Sequence, residues 1–407
     1  MHRWVVVADS GFVPARGGGD REHLGFLRVA SEAGWVAALV IPTREPIDFN
    51  ALAAVVGDTP VIPTDRRLSL LRLAHPRYPY VVASRPYPHG LAKRIQTVAP
   101  DATGIVTFSY KSHQIGENLA IALHLPMVVR HHNHEGTYHR SLAAGLRGPR
   151  RLVMSWEAWR IERDERKFDR SPTVTAIADI SAEDAAARRA TGARRVAHLP
   201  PFAFDINLAA EPLAVAVNRG EEPPRVLFLG ALDIVTNQIA LAWFTGDVWP
   251  RVREAVPDAV FSVVGSRPPA ALGKKLTRIP NVELHADVTD LRPYLARSRV
   301  AVNPAVTGSG VNIKIIDYLQ AGLPVVSTTL ATRGISLRAG VDLEVDDDPV
   351  AFADAVVGLL RDADRAAQLA RSGRARAAEL LDPRRNLDRL ADLFAEPNDP
   401  VSHSPDR

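Results

Sequence analysis

Short apolar runs rich in Val, Ile and Ala recur along this chain, each followed by a stretch whose apolar residues return every three or four positions. That is the pattern of buried strands alternating with amphipathic helices. In the first half it predicts strands at Trp4 to Ala8, Val36 to Ile41, Tyr80 to Ser84, Gly104 to Phe108 and Met127 to Arg130, with helices at Arg21 to Ala33, Ile47 to Val56, Gly90 to Val98 and Gln114 to Leu123. Such alternation implies a parallel sheet with helices on both faces. Residues 151–169 read as one long amphipathic helix, with Trp156, Trp159, Ile161, Arg163 and Phe168 dividing its sides and packing as its role. Strands at Thr173 to Ile180 and Val196 to Pro201 follow, with Ser181 as a helix cap between them.

A second series begins at Val226 to Gly230 and continues with strands at Val260 to Gly265, Val282 to Leu284, Ala301 to Asn303 and Pro324 to Ser327. Asn237 is expected to cap a helix that buries Ile239, Trp243, Phe244 and Val248, and further helices fall at Leu291 to Arg297, Asn312 to Ala321, Val350 to Leu360, Ala363 to Leu380 and Arg384 to Phe394. The expected organisation is an N-terminal domain over 1–206, a linker at 207–224, a second domain over 225–382, a helix at 383–395 that returns to the first domain, and a disordered tail at 396–407.

Composition narrows the class. The 407 residues are too many for one ordinary core. Without cysteine there is no disulfide, thiolate metal ligand or cysteine nucleophile, and a reducing, cytoplasmic setting is the expectation. No run of about 18 apolar residues is present, and Asp9 breaks the N-terminal apolar run, which reads as a strand and not as a leader. Net charge is +4, and Arg130 to Arg170 holds ten basic against six acidic residues. That mixture argues against nucleic acid and leaves loose association with an anionic membrane surface, at the inner face, as an expectation.

The most informative stretch is Pro304 to Thr328, PAVTGSGVNIKIIDYLQAGLPVVST. Gly308, Ser309 and Gly310 form a flexible loop whose amides can approach an anion, Asn312 is an N-cap, and Gly322 is the left-handed stop. Lys314 then lies in the first helical turn, against the positive end of the helix dipole, where a bound phosphate offsets the cost. Asp317, three residues on, shares its face and can hold ribose hydroxyls; the plainer reading is an exposed Lys314–Asp317 pair beside a turn. In the first half, Gly17, Gly18 and Gly19 precede a helix without forming GxGxxG, and the strand ending at Arg130 runs into His131, His132, Asn133, His134, Glu135 and Gly136. Ligands of doubly wound sheets bind beyond the carboxyl ends of strands, so these histidines are candidates for contact with a sugar or acceptor, beside structural and metal-binding readings. No metal-ligand spacing such as HExxH is present.

Taken together these segments resemble the retaining glycosyltransferases of family 4, with the GT-B fold. The residues that carry the likeness are FLGALD with Asn237 and WF…WP, Val263-Val264-Gly265, Asp287 to Leu291, GSGVNIKIIDYLQAGLPVVST and Asp346 to Asp348, with GGGDREH and RHHNHEGTYH as the first-domain loops. The resemblance implies an α/β chain of two doubly wound Rossmann-like domains facing across a cleft. It implies transfer of a sugar from a nucleotide diphosphate donor, held mainly by the second domain, to an acceptor hydroxyl held by the first. The donor site would then include Gly18, Gly19, Gly230, Asn237, Gly265, Gly308, Ser309, Gly310, Val311, Asn312, Lys314 and Asp317. His132 aligns with a histidine that touches the donor sugar, Glu135 is a second polar candidate, and neither metal nor cofactor is implied. The family's paired glutamates fall on Ser309 and Asp317, and its arginine and lysine after the first strand fall on Ala231 and Thr236, which leaves Lys314 as the phosphate cation and Arg333 as a further one. A nucleotide-sugar epimerase of similar fold and a non-catalytic partner are the alternatives. Base, sugar, acceptor and oligomeric state are not encoded in these motifs.

Overall fold

The computed structural model describes residues 2–13, 18–202, 223–308 and 311–395. Gly17, Ser309, Gly310, linker residues 207–222 and the tail from 396 therefore lie outside the described residues.

The first half runs β1 (Trp4–Val7), α1 (Gly18–Glu32), β2 (Val36–Thr43), α2 (Phe49–Val56), β3 (Val61–Asp65), α3 (Tyr80–Ala83), α4 (Leu91–Val98), β4 (Gly104–Phe108), α5 (His113–Leu123), β5 (Met127–His131), α6 (Glu135–Ala144), α7 (Pro149–Phe168), β6 (Val174–Asp179), α8 (Ala182–Ala190) and β7 (Val196–His198). Its strands form a parallel sheet in the order β3-β2-β1-β4-β5-β6-β7. Alternating side chains explain the two layers of helices. Val5 and Val7 join Ile105, Val129 and Ile177 on one face, while Trp4 and Val6 join Phe26, Val106 and Val128 on the other.

The second half runs β8 (Arg225–Leu229), α9 (Val235–Trp243), α10 (Trp249–Ala255), β9 (Val260–Gly265), α11 (Ala270–Leu276), β10 (Val282–Ala286), α12 (Arg292–Arg297), β11 (Val300–Asn303), α13 (Ile313–Gln320), β12 (Val325–Ser327), β13 (Glu344–Val345), α14 (Pro349–Arg361), α15 (Ala363–Leu380) and α16 (Pro383–Asp392). Its parallel sheet has the order β10-β9-β8-β11-β12-β13 and is likewise covered on both faces. Leu387, Leu390 and Ala391 of α16 enter the core of the first half, and Phe394 stacks on Trp4 at 5.1 Å.

Some expected elements differ. Tyr80 to Ser84 is not a strand: Tyr80–Ala83 is a helical turn after Pro79, with the Tyr80 amide donating to Glu157. The third strand is Val61–Asp65, hidden in the sequence by Pro63, which is tolerated because β3 is an edge strand. Asn237 does not cap a helix, since α9 starts two residues before it, and Ile239 is 39% exposed instead of buried. The helix α7 packs only one side, leaving Trp156 and Trp159 about half exposed, at 48% and 53%.

Candidate active site between the two sheets

The helix α13 is buried on nearly every side, through Ile313, Ile315, Ile316, Tyr318 and Leu319. The Tyr318 hydroxyl locks it to the sheet by accepting from the Leu229 amide at 2.7 Å and donating to the Val302 carbonyl at 3.4 Å. One turn earlier, this fixes the stem of Lys314. Its ammonium donates to Asn237 Oδ1 at 2.8 Å and lies 4.1 Å from the centre of the Phe228 ring. Asn237 is held in turn by donating from Nδ2 to the Ala231 carbonyl, so it orients the lysine where a cap had been expected. Burial pulls the Lys314 pKa down from 10.5 to about 7, against the opposing pull of Asp317. No carboxylate of the described residues lies within ion-pair distance of it.

Gly230 and Gly265 make room for this arrangement. A Cβ on Gly230 would sit 3.1 Å from Lys314 Nζ, and one on Gly265 would sit 2.1 Å from the Gly230 carbonyl oxygen. Gly308 has φ +131, a conformation open to glycine, and lies beside Thr236. Asn312 holds the N-cap position without a side-chain capping bond, so the amides at the start of α13 are not covered by that side chain. Val311 is partly buried next to it, and Arg333 is exposed at the end of a short helical turn.

On the first-domain side, Gly18 and Gly19 begin α1. The His23 Nδ1 donates to the Gly19 carbonyl at 2.8 Å, which leaves Nε2 facing Asp9 Oδ1 at 3.7 Å. The His132 ring meets that of His23 edge-on at 4.9 Å, and its buried Nε2 has no hydrogen-bond partner among the described residues. Burial, followed by the neighbouring His23, holds the His132 pKa well below 6.5, so the ring is neutral. Glu135 opens α6, where its own amide and that of Gly136 donate to the Glu165 carboxylate at 3.1 and 3.0 Å. Its side chain is 3.3 Å from Lys111 Nζ, which also reaches Asp9 at 3.1 Å. Burial raises the Asp9 carboxyl, yet Lys111 and then His23 and Arg85 outweigh it and hold the group ionised far below the usual carboxylate range.

The two halves meet at α1 and α13. A Cβ on Gly18 would lie 2.8 Å from Ile313 Cγ1, so only glycine permits this approach. Arg21 forms a two-pronged pair with Asp317 at 2.5 and 2.6 Å, and Asp317 is buried. The exposed Lys314–Asp317 pair considered from sequence is therefore not formed. Arg21, Asp9, His23 and Lys111 were missed by the sequence reading. Arg21 carried a usable signal, since it is a cation at the start of a helix after a glycine loop, the same misfit with the dipole that singled out Lys314.

The likeness to solved structures spans the chain. HepE of Anabaena in complex with UDP-glucose superposes with a TM-score of 0.67 at 16% identity, covering 96% of this chain and 99% of that one. Sucrose-phosphate synthase from Thermosynechococcus elongatus gives 0.67 at 16% identity over 97% and 98%, and TarM gives 0.69 at 8% identity over 97% and 99%. The fold is GT-B. A sequence model of the family described as Glycosyl transferases group 1 matches residues 223–362, which is the GT-B half that carries Lys314. A protein described as an uncharacterized 44.6 kDa protein in the cps region of Klebsiella pneumoniae is 26% identical over 140 residues, 32% of this chain and 36% of its own length. The match thus spans about a third of that relative.

Proposed function

We propose that this chain is a retaining glycosyltransferase that moves a sugar from a nucleotide diphosphate sugar to an acceptor hydroxyl of a polysaccharide, glycolipid or natural product. The observation that carries the proposal is Lys314, a half-buried amine at the first turn of a helix, held by a neutral amide and without a carboxylate partner among the described residues. A diphosphate completes that site, with the amides of α13 as further donors. The neighbours in complex with UDP and UDP-glucose make uridine diphosphate sugars the first donors to test.

In the proposed step the sugar C1–O bond breaks with its electron pair going to the diphosphate, and the acceptor oxygen bonds C1 on the face just vacated. The acceptor proton passes to the departing diphosphate oxygen. Lys314 and the helix amides stabilise the charge that develops there, which is electrostatic catalysis requiring no protein nucleophile and assigning no role to a metal. In this reading neutral His132, whose buried Nε2 has no partner among the described residues, takes a sugar hydroxyl as its hydrogen-bond partner when the donor binds. Asp317 takes the ribose hydroxyls once the Arg21 guanidinium yields.

The test is a thermal-shift panel of nucleotide sugars followed by NMR of the reaction products. Stabilisation by a nucleotide sugar and a product keeping the donor's anomeric configuration are expected. An inverted product refutes retention, turnover without acceptor replaces transfer by epimerisation, and failure of every donor to bind refutes the donor site. A ligand at a hundred times its dissociation constant stabilises by about 2.7 kcal/mol, well within reach of the assay.

A further inference from the structure

The helix α7 exposes an apolar stripe. Leu152 is 73% exposed, Val153 49%, Trp156 48% and Trp159 53%, and positions 152, 156, 159 and 163 are spaced as one helix face. Leu71, on a short helical segment next to the carbonyls that Arg160 binds, is 85% exposed. Such a stripe on an otherwise polar surface marks an interaction site.

Charge is sorted along the same helix. Its carboxylates are all engaged by the protein body: Glu157 with the Tyr80 amide and Arg160, Glu162 with Arg140 and Arg166, Asp164 with Tyr110 and His113, and Glu165 with Arg188. Arg160 turns inward to the Leu73, His75 and Tyr78 carbonyls, while the other cations of the helix are exposed. Arg150, Arg151 and Lys167 form no ion pair among the described residues, Arg160 lies over the Trp156 ring at 4.7 Å, and Arg163 over that of Trp159 at 5.7 Å. Arg163 also lines a cavity of about 700 Å³ together with Arg77, Arg166, Lys167 and Arg170. The carboxylates in its wall are already committed, Asp164 as above and Glu117 to Ser171, Thr173 and His113. An apolar stripe thus leads, through a stacked arginine, into a cationic hollow.

We propose that this face of α7 docks on an anionic lipid bilayer, with Leu152, Val153, Trp156 and Trp159 entering the interface and the Arg163–Lys167 cavity receiving a phosphate-bearing headgroup. Tryptophan and arginine interleaved on an exposed helix face, with acids turned away, fit that occupant. A second copy of the chain fits poorly, because a symmetric contact would set the same cations against each other across a narrow stripe. Nucleic acid leaves the exposed Leu152 and Val153 without a partner. The surface is built from residues separate from Lys314 and His132, so it stands or falls independently of sugar transfer.

The full chain is mixed with vesicles of phosphatidylcholine alone or with phosphatidylglycerol added, and the bound fraction is read by flotation at low and high salt. Binding is expected only to the anionic vesicles and to fall as salt rises. The double variants Trp156→Ser/Trp159→Ser and Arg163→Glu/Lys167→Glu should each lose about tenfold or more, with unchanged melting temperature and unchanged transfer to a soluble acceptor. No binding to anionic vesicles at low salt, or binding that both variants retain, overturns the proposal. A dimer that the tryptophan variant abolishes, or oligonucleotide binding that it weakens, overturns it equally if vesicles are not bound.

Discussion

The desolvated lysine makes a prediction about pH that a merely structural lysine would not. Lys314 has a pKa of about 7 in the folded protein against 10.5 ordinarily, so its folded value is lowered. The unfolded chain therefore binds the extra proton between those values: stability rises with pH from about 7 to about 10.5, and below 7 the penalty is constant. Each unit of that displacement is about 1.4 kcal/mol of unmet solvation, which a diphosphate can recover by restoring a charged partner. Only the protonated lysine makes that bond. Charged Lys314 falls from about nine-tenths of molecules at pH 6 to a few per cent at pH 8.5, so donor affinity should weaken by about thirtyfold across this range. A nucleotide sugar is the right probe because its doubly esterified diphosphate does not titrate there. Isothermal calorimetry in buffers of different ionisation enthalpy should show uptake of close to one proton per donor at pH 8.5. Lys314→Met should bind weakly with no such dependence, and Lys314→Ala should lower turnover by roughly ten- to a hundredfold or more. A dissociation constant that stays level from pH 6 to 8.5 refutes the reasoning, whatever the activity.

Four further outcomes follow from other contacts. Removing the guanidinium in Arg21→Ala leaves buried Asp317 unpaired and should cost about 1–3 kcal/mol in a thermal melt, with the gap to wild type narrowing when donor ribose occupies the carboxylate; equal gaps with and without donor would remove Asp317 from the ribose site. The wholly buried Arg188 touches Glu165, Asp169 and Asp179, so Arg188→Met should destabilise by about 3–5 kcal/mol and loosen the loop whose Asn133 carbonyl it binds. Against the upward push of burial, Arg188 and His131 hold Asp169 at about 2 where 3.8 is usual; this depressed value contributes stability above pH 4 or so that is lost as pH falls toward 2, and an acid titration followed by circular dichroism checks it. Deleting residues 383–395 withdraws Leu387 and Leu390 from the first core, at about 1.5–3 kcal/mol each, and chemical denaturation of the truncated chain measures the loss.

The alternation of strands and helices was legible because both sheets bury both faces, which forces continuous apolar runs. The stretch around Lys314 was legible for a different reason: a cation in a first turn is locally unfavourable, and local misfits show in one dimension. Pairing does not. Asp317 finds Arg21 at a separation of 296 residues, and Asp9, Lys111 and Glu135 converge from three strand ends, with no periodicity to record it. For the same reason periodicity could mark one side of α7 as apolar but not whether anything covers it. Pro63 misled more simply, since edge and interior strands look alike until the strand order is known.

Where Lys314 comes from bears on what it does. The positions after β8 where the resembling family carries cations hold Ala231 and Thr236, and the ammonium of Lys314 reaches back from α13 to Asn237, the next residue, beside the end of that strand. Charge thus arrives at one place by another route. If position alone matters, Thr236→Lys in the Lys314→Met background should recover donor binding to within about tenfold of wild type, since one charge-assisted bond is worth about 1.5–3 kcal/mol. Thr236 suits the exchange because its side chain lies beside Gly308, 3.8 Å from where a Cβ there would sit. Calorimetry with a nucleotide sugar decides the matter. The new lysine, less enclosed, should bind with a flatter pH dependence, and a double variant that folds but regains no affinity would mean that Lys314 acts through its enclosed position over Phe228, not through its charge near β8.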